Sequence, residues 1–478
     1  MDETLLNQKN EEYGSTITES EISDDEADEI ELELDEVYEK IGRGPAQYIY
    51  WTITGLLSIA DQAEISIIAV ILPSLRCQWN LTPGFETAIT MSIFVSYAIF
   101  AVAFGKIADK VGRKVVLVWS INALLLASVA SAFAPDKWVF LIARSVAGAC
   151  IGVNLNIILC YATEFSESKD RLIGMIVFGG VSSISPALVY FLAWVILNAA
   201  GWRWLIIAIS SPMVPAIALI IFMPGSPRYL LVSGQQDAAI RATKFNAQLN
   251  KRSLPSDFKL APLNNESRGS YAAIFGTEHR RSVVTLSVQY FCNIFIGFGF
   301  ILYQPLIFAS GCTLGPTEQP ARPCSLSNLE LLKLTLSSMF SIIANLLAPL
   351  SAYVLERRIA LRISGFFMVL ATTALFFCFT PAITFSIATA MNFIGSFITG
   401  YLWLIYPEAF PTNIRTTAIG FINGCGKVGG VLGTGSVSIF YYMNPTIVAG
   451  LFLTASIVGF AMSLIYNKKT KDVEMTDT

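Results

Sequence analysis

Four ionisable side chains interrupt segments that are otherwise long and apolar, and we expect any chemistry to centre on them. Asp61 and Glu64 lie three residues apart and would share one face of a helix. Arg144 and Lys427 each lie within a run of uncharged residues. If these segments cross a membrane, each charge costs at least about 2.5–3.5 kcal/mol unless it pairs, is neutralised or faces a cavity.

These residues have a functional and a structural interpretation. In the functional one, Asp61 and Glu64 recognise a cation or couple protons, while Arg144 and Lys427 bind an anionic group. In the structural one, Arg144 is the counter-ion of either acid, and Lys427 extends its charge toward the membrane surface. We favour Asp61 over Glu64 as the functional acid, because Asp61 lies further from the outer end of its segment.

Uncharged polar residues in later segments are further binding candidates. They are Gln289, Tyr290, Asn293, Asn392 and Asn423. Gln289 and Asn293 share a helix face, although polar residues in such segments often serve only as hydrogen-bonded glue between helices. Lys427 lies among many glycines, which predicts a closely packed helix suited to a moving gate. These glycines are Gly420, Gly424, Gly426, Gly429, Gly430, Gly433 and Gly435.

Membrane-spanning helices must position these residues. Of 478 residues, 54% are hydrophobic and 14% are charged, against about 25% charged in soluble domains. A span needs about 20 apolar residues, and the sequence predicts twelve: 48–72, 85–104, 115–133, 138–161, 172–198, 202–223, 283–309, 330–354, 361–379, 383–405, 416–441 and 446–466. No cleavable signal peptide is expected, because the first apolar segment begins only near residue 48.

Lys and Arg are concentrated in the loops on one side of these spans, including residues 105–114 and 228–282. The other side carries few, namely Arg76, Lys137, Arg203 and Arg322. Positive residues mark cytoplasmic loops. We therefore predict a multi-pass integral membrane protein with both termini in the cytoplasm, in the plasma membrane or in an intracellular, synaptic-like vesicle membrane.

The predicted domains follow from charge and apolarity along the chain. They are an acidic disordered tail (1–44), a six-helix bundle (45–227), a central cytoplasmic loop (228–282), a second six-helix bundle (283–466) and a cytoplasmic C-terminal tail (467–478). Residues 30–41 have helical apolar spacing, which predicts an amphipathic segment lying on the membrane surface.

Three cysteines fall on the outer side, namely Cys77, Cys312 and Cys324. The last two bracket a short loop rich in Pro and Gly, so we predict a Cys312–Cys324 disulfide in an oxidising compartment. Asn80 begins a glycosylation sequon on the same side.

The two predicted bundles repeat a spacing of acid and base at one membrane face. Glu164 precedes Arg171 by seven residues after span 4, and Glu408 precedes Arg415 by seven residues after span 10. Such repetition indicates duplicated halves related by an axis along the membrane normal, with the substrate site between them.

The loop after span 2 reads Gly105-Lys-Ile-Ala-Asp109-Lys-Val-Gly112-Arg113-Lys114, and we expect Arg113 to pair with Asp109. The equivalent loop after span 8, Glu356-Arg357-Arg358-Ile-Ala-Leu-Arg362, lacks the glycines, which predicts a weaker latch in the second half. A breakable cytoplasmic gate is predicted, with ordinary surface charge as the alternative. Its residues are Gly105, Asp109, Gly112, Arg113, Glu164, Arg171, Arg228, Glu408 and Arg415.

Several of these motifs resemble one family. Residues 105–114 resemble the signature between spans 2 and 3 of the major facilitator superfamily. The run Arg144-Ser-Val-Ala-Gly148-Ala-Cys-Ile-Gly152 resembles its span-4 motif. Two further runs resemble blocks of its sugar-porter and organic-ion branches, with Gly225 where those branches carry Glu: Pro224-Gly225-Ser226-Pro227-Arg228 and Tyr406-Pro-Glu408-Ala-Phe410.

Within those branches the start of the chain resembles the synaptic vesicle 2-related group. The matching runs are Ile41-Gly42-Arg43-Gly44, the span-1 segment from Thr54 to Glu64, and Cys77-Gln-Trp79. The resemblance implies an all-α polytopic membrane protein with twelve transmembrane helices in two pseudo-symmetric six-helix bundles. It also implies alternating access, with organic ions among the substrates of neighbouring groups.

We therefore expect a secondary active or facilitative transporter of a small organic ion, with proton coupling left open. The alternative is a non-transporting vesicle membrane protein that acts in sorting or partner binding. The sequence contains no nucleotide-binding loop, zinc-ligand spacing or nucleophile elbow, so we expect neither an enzyme nor a cofactor or metal site. The expected partners are the lipid bilayer, the organic ion and a proton, without nucleic acid, and the protein is expected to be a monomer.

Overall fold

Long helices account for most of the residues that the structure describes. The computed structural model describes residues 30–466 except 104–106, 108–110, 166–173, 175–176, 256–257, 262–273, 278, 311–323, 353, 378–379 and 411. The first half contains α2 (Pro45–Trp79), α3 (Pro83–Ala103), α4 (Arg113–Ala132), α5 (Lys137–Glu164), α6 (Ile184–Ala200), α7 (Trp202–Ser210) and α8 (Met213–Phe222). The second half contains α11 (Arg280–Ser310), α12 (Asn328–Ser351), α13 (Arg357–Ala374), α14 (Pro381–Ala409), α15 (Thr412–Phe440) and α16 (Pro445–Ile465).

These helices correspond to the twelve predicted spans. Spans 1 to 5 are α2 to α6, span 6 is α7 with α8, and spans 7 to 12 are α11 to α16. Ten of the described helical segments are long and apolar enough to cross a membrane. The other two are α13, which begins with Arg357 and Arg358 and also contains Arg362, and the glycine-rich α15.

Proline and glycine explain where the first and sixth spans depart from their predicted bounds. Helix α2 starts earlier than expected, because Gly44 precedes it and Pro45 occupies its first turn, where the missing N–H is not needed. Span 6 is divided at Ser211 and Pro212, since proline cannot donate the hydrogen bond that would continue the helix.

Contacts between helix pairs hold the halves together. Helix α3 packs on α15, α6 packs on α12 and, less extensively, α2 packs on α11, so each contact joins one helix of the first half to one of the second. Within the halves, α3 packs on α5 and α11 packs on α15. The arrangement is the two-bundle architecture expected of duplicated halves.

Glycines allow these intra-half contacts to be unusually close. A Cβ atom on Gly152 would lie 2.3 Å from the Tyr97 carbonyl oxygen, and one on Gly433 would lie 2.1 Å from the Phe295 carbonyl oxygen. Gly148 meets the Ile93 carbonyl oxygen in the same way. The close packing predicted for the glycine-rich span 11 is therefore confirmed, and the glycines of span 4 allow the same close approach.

Residues 30–41 and 227–260 form a small folded unit at one membrane face, which we call the loop unit. Its elements are β1 (Ile30–Leu32), α1 (Leu34–Ile41), α9 (Pro227–Val232), α10 (Gln236–Leu249) and β2 (Phe258–Leu260). Strand β1 pairs in parallel with β2, Ile30 opposite Phe258. The apolar face of α1, including Val37 and Tyr38, is buried against residues of α10 and β2.

The loop unit corrects two expectations. Residues 30–41 do not belong to a disordered tail, and their apolar face covers the central loop instead of a membrane surface. The unit is also fixed to the first span: Asn250 Oδ1 accepts from Ala46 N at 2.8 Å, and the Tyr50 hydroxyl donates to Asn246 Oδ1 at 2.8 Å. We call the face that carries the loop unit the terminal face, and the other the opposite face.

The disulfide prediction is wrong. Cys324 is bonded to Cys77, with 5.5 Å between their Cα atoms, and 247 residues separate the two in sequence. Cys312 lies outside the described residues. The predicted Cys312–Cys324 pair rested on closeness along the chain, whereas the fold brings the end of α2 against the segment before α12.

We predict that Gly433→Ala lowers the melting temperature of the detergent-purified protein. The added methyl group would overlap a backbone oxygen of α11, and overpacking of this kind typically costs about 1–3 kcal/mol. Gly420→Ala is the matched control in the same helix, because a Cβ there meets nothing within 4 Å. Equal melting temperatures for the two variants would show that the close contact is unimportant.

Candidate functional site

Glu64 and Arg144 form a completely buried ion pair within the first half. The Arg144 Nη1 atom lies 2.5 Å from Glu64 Oε2, and the two side chains are 0% and 1% exposed. Three serines surround the pair: Ser128 and Ser210 donate to Glu64 Oε1, and Arg144 Nη2 donates to Ser131 Oγ. Opposite charges and hydrogen bonds together offset the cost of burying these groups.

The ion pair favours one of the two interpretations of Arg144 and Glu64. The cluster draws on α2, α4, α5 and α7, all of them helices of the first half. Arg144 also lies over the Phe140 ring, 5.4 Å from its centroid. The two charges neutralise each other, which favours the structural interpretation for both, although Arg144 Nε has no hydrogen-bond partner among the described residues.

Asp61 is buried one turn from Glu64 but has a different environment. Its side chain is 1% exposed, and Asn154 Nδ2 donates to Asp61 Oδ1 at 3.1 Å. Ser120 in turn donates to Asn154 Oδ1, which fixes the amide orientation. Asp61 Oδ2 has no hydrogen-bond partner within the described part of the chain. A buried carboxyl oxygen in this state is available to a ligand or a proton.

Lys427 reaches across the seam between the halves. Its ammonium group lies 5.0 Å from the ring centroid of Tyr97, which belongs to α3 of the first half. Tyr97 also lies close enough to Asp61 and to Tyr290 for electrostatic interaction. Tyr97 therefore connects the acid of the first half with the base of the second.

Sequence reasoning missed Tyr97 and Asn154. A tyrosine or an asparagine inside a span carries little signal, because such residues are common as interhelical glue. The available signal for Asn154 was its place as a polar residue in α5, ten residues or about 2.8 helical turns after Arg144.

The polar candidates of the second half separate into different groups. Tyr290 packs on Gly426, close to the seam. Asn293 Nδ2 donates to Thr399 Oγ1 at 2.8 Å, which joins α11 to α14. Asn392 donates to Gln304 and Ser337 in a network of its own.

Two candidates remain. Gln289 lies against Gly459 of α16, away from the seam. Asn423 Oδ1 is buried with no partner in the described residues.

The ends of paired spans at the terminal face carry equivalent ion pairs in the two halves. Arg113, the first residue of α4, pairs with Glu164, the last residue of α5. Arg357, the first residue of α13, pairs with Glu408 near the end of α14 at 2.7 Å. Arg357 supplies the base there without the glycine motif, so the ion pairs alone predict equal latches, and the expectation of a weaker latch in the second half stays a prediction.

Other predicted gate residues have different neighbours or lie outside the described residues. Arg228 pairs with Asp35 inside the loop unit. Gly112 precedes α4 with φ +102°, and a Cβ there would lie 2.8 Å from the Tyr229 ring, so this position requires glycine. Gly105, Asp109, Arg171 and the Arg415 side chain lie outside the described residues.

Hydrogen bonds join the two halves at the opposite face. Arg76 donates to Glu86 at 2.7 Å within the first half and also contacts the Tyr442 hydroxyl of the second half. Asn198 of α6 donates to Asn328 of α12 at 2.7 Å. Asn80 ends α2 in the left-handed conformation and is exposed on this face. The structure is thus closed at the opposite face.

Comparisons with known proteins agree with this architecture. The family model described as Major Facilitator Superfamily matches residues 54–434. The synaptic vesicle 2-related protein of Rattus norvegicus is 28% identical over 84% of this chain and 74% of its own length. The organic cation/carnitine transporter 7 of Arabidopsis thaliana is 24% identical over 93% of this chain and 96% of its own. Among solved structures, the xylose transporter XylE from E. coli matches with a TM-score of 0.66 and 16% identity, over 90% of this chain and 99% of that one.

The buried ion pair predicts a specific pattern of stability. Arg144→Met leaves Glu64 charged and unpaired, which should cost about 3–5 kcal/mol. Adding Glu64→Leu removes the orphaned charge, so the double variant should recover much of that loss. Size-exclusion chromatography of heated, fluorescently tagged protein measures the difference. If Arg144→Met is as stable as the native protein, the structural interpretation is incorrect.

The two terminal-face pairs should contribute equally to stability. Arg113→Ala and Arg357→Ala each remove a charge-assisted hydrogen bond, and such bonds are worth about 1.5–3 kcal/mol. The exchanged pair Arg357→Glu with Glu408→Arg should restore the melting temperature. A large loss of stability at Arg113 with none at Arg357 would instead support the expectation of a weaker latch in the second half.

Proposed function

Since this multi-pass membrane protein belongs to the major facilitator superfamily, we propose that it is a secondary active or facilitative transporter of a small organic ion. Transport proceeds by alternating access between two six-helix bundles, and the protein is not an enzyme. The substrate site lies at the seam, around Asp61, Tyr97 and Lys427.

The Asp61 Oδ2 atom, which has no hydrogen-bond partner among the described residues, carries this proposal. Arg144 neutralises Glu64 and is itself neutralised, so this pair is committed to holding the first half together. Asp61 is oriented by Asn154 but keeps one oxygen unused among the described residues. We assign Asp61 to the recognition of a cationic group or to the uptake and release of a proton, because burial without a counter-charge is costly.

The proposed site contains a residue of each half, Tyr97 of the first and Lys427 of the second. The cation–π contact crosses from α15 to α3, and such contacts contribute about 0.5–2 kcal/mol. In the proposal, a substrate that engages Asp61 and Tyr97 competes with Lys427 for the same ring. Binding would then change the contact between the bundles, which is what alternation requires.

The sidedness also belongs to the proposal. A disulfide persists in oxidising compartments, and Cys77–Cys324 lies at the opposite face, which supports an extracytoplasmic location for that face. Both termini would then be cytoplasmic. The name of the rat relative favours a vesicle membrane, and the name of the Arabidopsis relative favours an organic cation as substrate.

We predict that Asp61→Asn abolishes uptake of organic ions into proteoliposomes while membrane insertion and melting temperature remain native. The substitution preserves shape and the Asn154 contact but removes the charge and the titratable proton. Uptake of a labelled panel of organic cations and anions, with and without a pH gradient, provides the measurement. Asp237→Asn, the same change at an exposed site of α10, is the control.

Undiminished uptake by Asp61→Asn would remove Asp61 from the site. If the native protein transports no member of the panel, the alternative function as a non-transporting vesicle protein gains support.

A further inference from the structure

We propose that the Cys77–Cys324 disulfide is a covalent tether that holds the opposite face closed, and that a small thiol releases it. The tether would make opening of this face, and hence the transport cycle, dependent on redox conditions. The inference rests on the proposed alternating access, because only a protein whose halves separate at this face can be restrained there.

The disulfide joins one half to the other. Cys77 belongs to α2, whose Trp79 end lies at the opposite face. Cys324 precedes α12 of the second half by only three intervening residues. The bond therefore crosses the seam that alternating access must open.

The link between Cys324 and α12 is short and held in place. Three extended residues reach at most roughly 11 Å. Leu326 in this link is 2% exposed, and its carbonyl oxygen accepts from Asn198 of α6. Ser327 caps α12 through a reciprocal contact with Glu330. Opening with the disulfide intact would first require Leu326 to leave its buried position.

The non-covalent contacts across the same seam can break at little cost. The Asn198–Asn328 hydrogen bond and the Arg76–Tyr442 contact each exchange for water. A neutral hydrogen bond contributes about 0.5–1.5 kcal/mol net, and one from a charged donor such as Arg76 about 1.5–3 kcal/mol. A covalent bond cannot be replaced by contacts with water. Among the contacts described at this seam, the disulfide is the restraint that separation of the halves cannot remove.

Both cysteines are accessible to a solvent thiol, since each is exposed at the opposite face. In the release step, the thiolate of a small monothiol attacks one sulfur and breaks the S–S bond. The other cysteine leaves as a thiolate and takes up a proton. A second monothiol then displaces the mixed disulfide, so two thiols are oxidised to one small disulfide and both protein cysteines become thiols.

Distances across the opposite face test the tether without any substrate. Phe133 of the first half and Met443 of the second are 69% and 74% exposed. Each is replaced by p-acetylphenylalanine and labelled with a ketone-specific nitroxide, which leaves the cysteines untouched. Pulsed electron paramagnetic resonance then gives the distance distribution in nanodiscs, before and after addition of reduced glutathione.

We expect a single distance in the oxidised protein and a second, longer population after reduction. Cys77→Ser and Cys324→Ser should each show that longer population without reductant, and their combination should add nothing further. Cys292→Ser, at a buried free cysteine of the second half, should behave like the native protein. Identical distributions before and after reduction of the native protein would overturn the tether.

A second label pair separates this inference from the proposed function. Val111 and Val354, 51% and 86% exposed, lie at the terminal face of the two halves. If both pairs sample two distances in the oxidised protein and reduction changes neither distribution, alternation stands and the tether is refuted. If neither pair changes under any condition, the alternating-access proposal fails together with the tether.

Discussion

The exclusion of unpaired charge from the bilayer interior is the constraint on which the rest of this protein depends. Glu64 and Arg144 meet it by pairing inside the first half, where four helices and three serines surround them. The pair fixes the relative positions of α2 and α5. That arrangement in turn sets Asp61 beside Asn154, one turn away. We propose that this arrangement separates the structural charge pair from the functional acid Asp61, although Asp61 and Glu64 lie on the same face of α2.

Close glycine contacts and charge pairs join the helices within each half. Gly152 brings α5 onto α3, and Gly433 brings α15 onto α11, so the two halves use the same device. The ion pairs Arg113–Glu164 and Arg357–Glu408 brace equivalent span ends at the terminal face. The seam between the halves is bridged by weaker contacts, including the one between Lys427 and Tyr97. The proposed tether would add a covalent bond to this seam.

The number of spans and the duplicated halves could be predicted from sequence, because apolar length and repeated Glu-to-Arg spacing are local signals. Which residues pair with each other in the fold could not be predicted. Arg144 had two nearby acids to choose between, and only the packing of α5 against α2 selects Glu64. Cys324 was assigned to the nearest outer cysteine along the chain, yet its partner lies 247 residues away. The proposed roles of Asn154 and Tyr97 depend on the residues that the fold places beside them, and their residue types do not indicate those neighbours.

The central claim is that Asp61, and not the Glu64–Arg144 pair, binds the transported ion. A thermal-shift screen of the purified native protein and its Asp61→Asn variant against organic cations and organic anions tests it most directly. The account predicts that at least one ion raises the melting temperature of the native protein and leaves that of the variant unchanged. An ion that stabilises both proteins equally would contradict the account, and the site would then have to lie elsewhere along the seam.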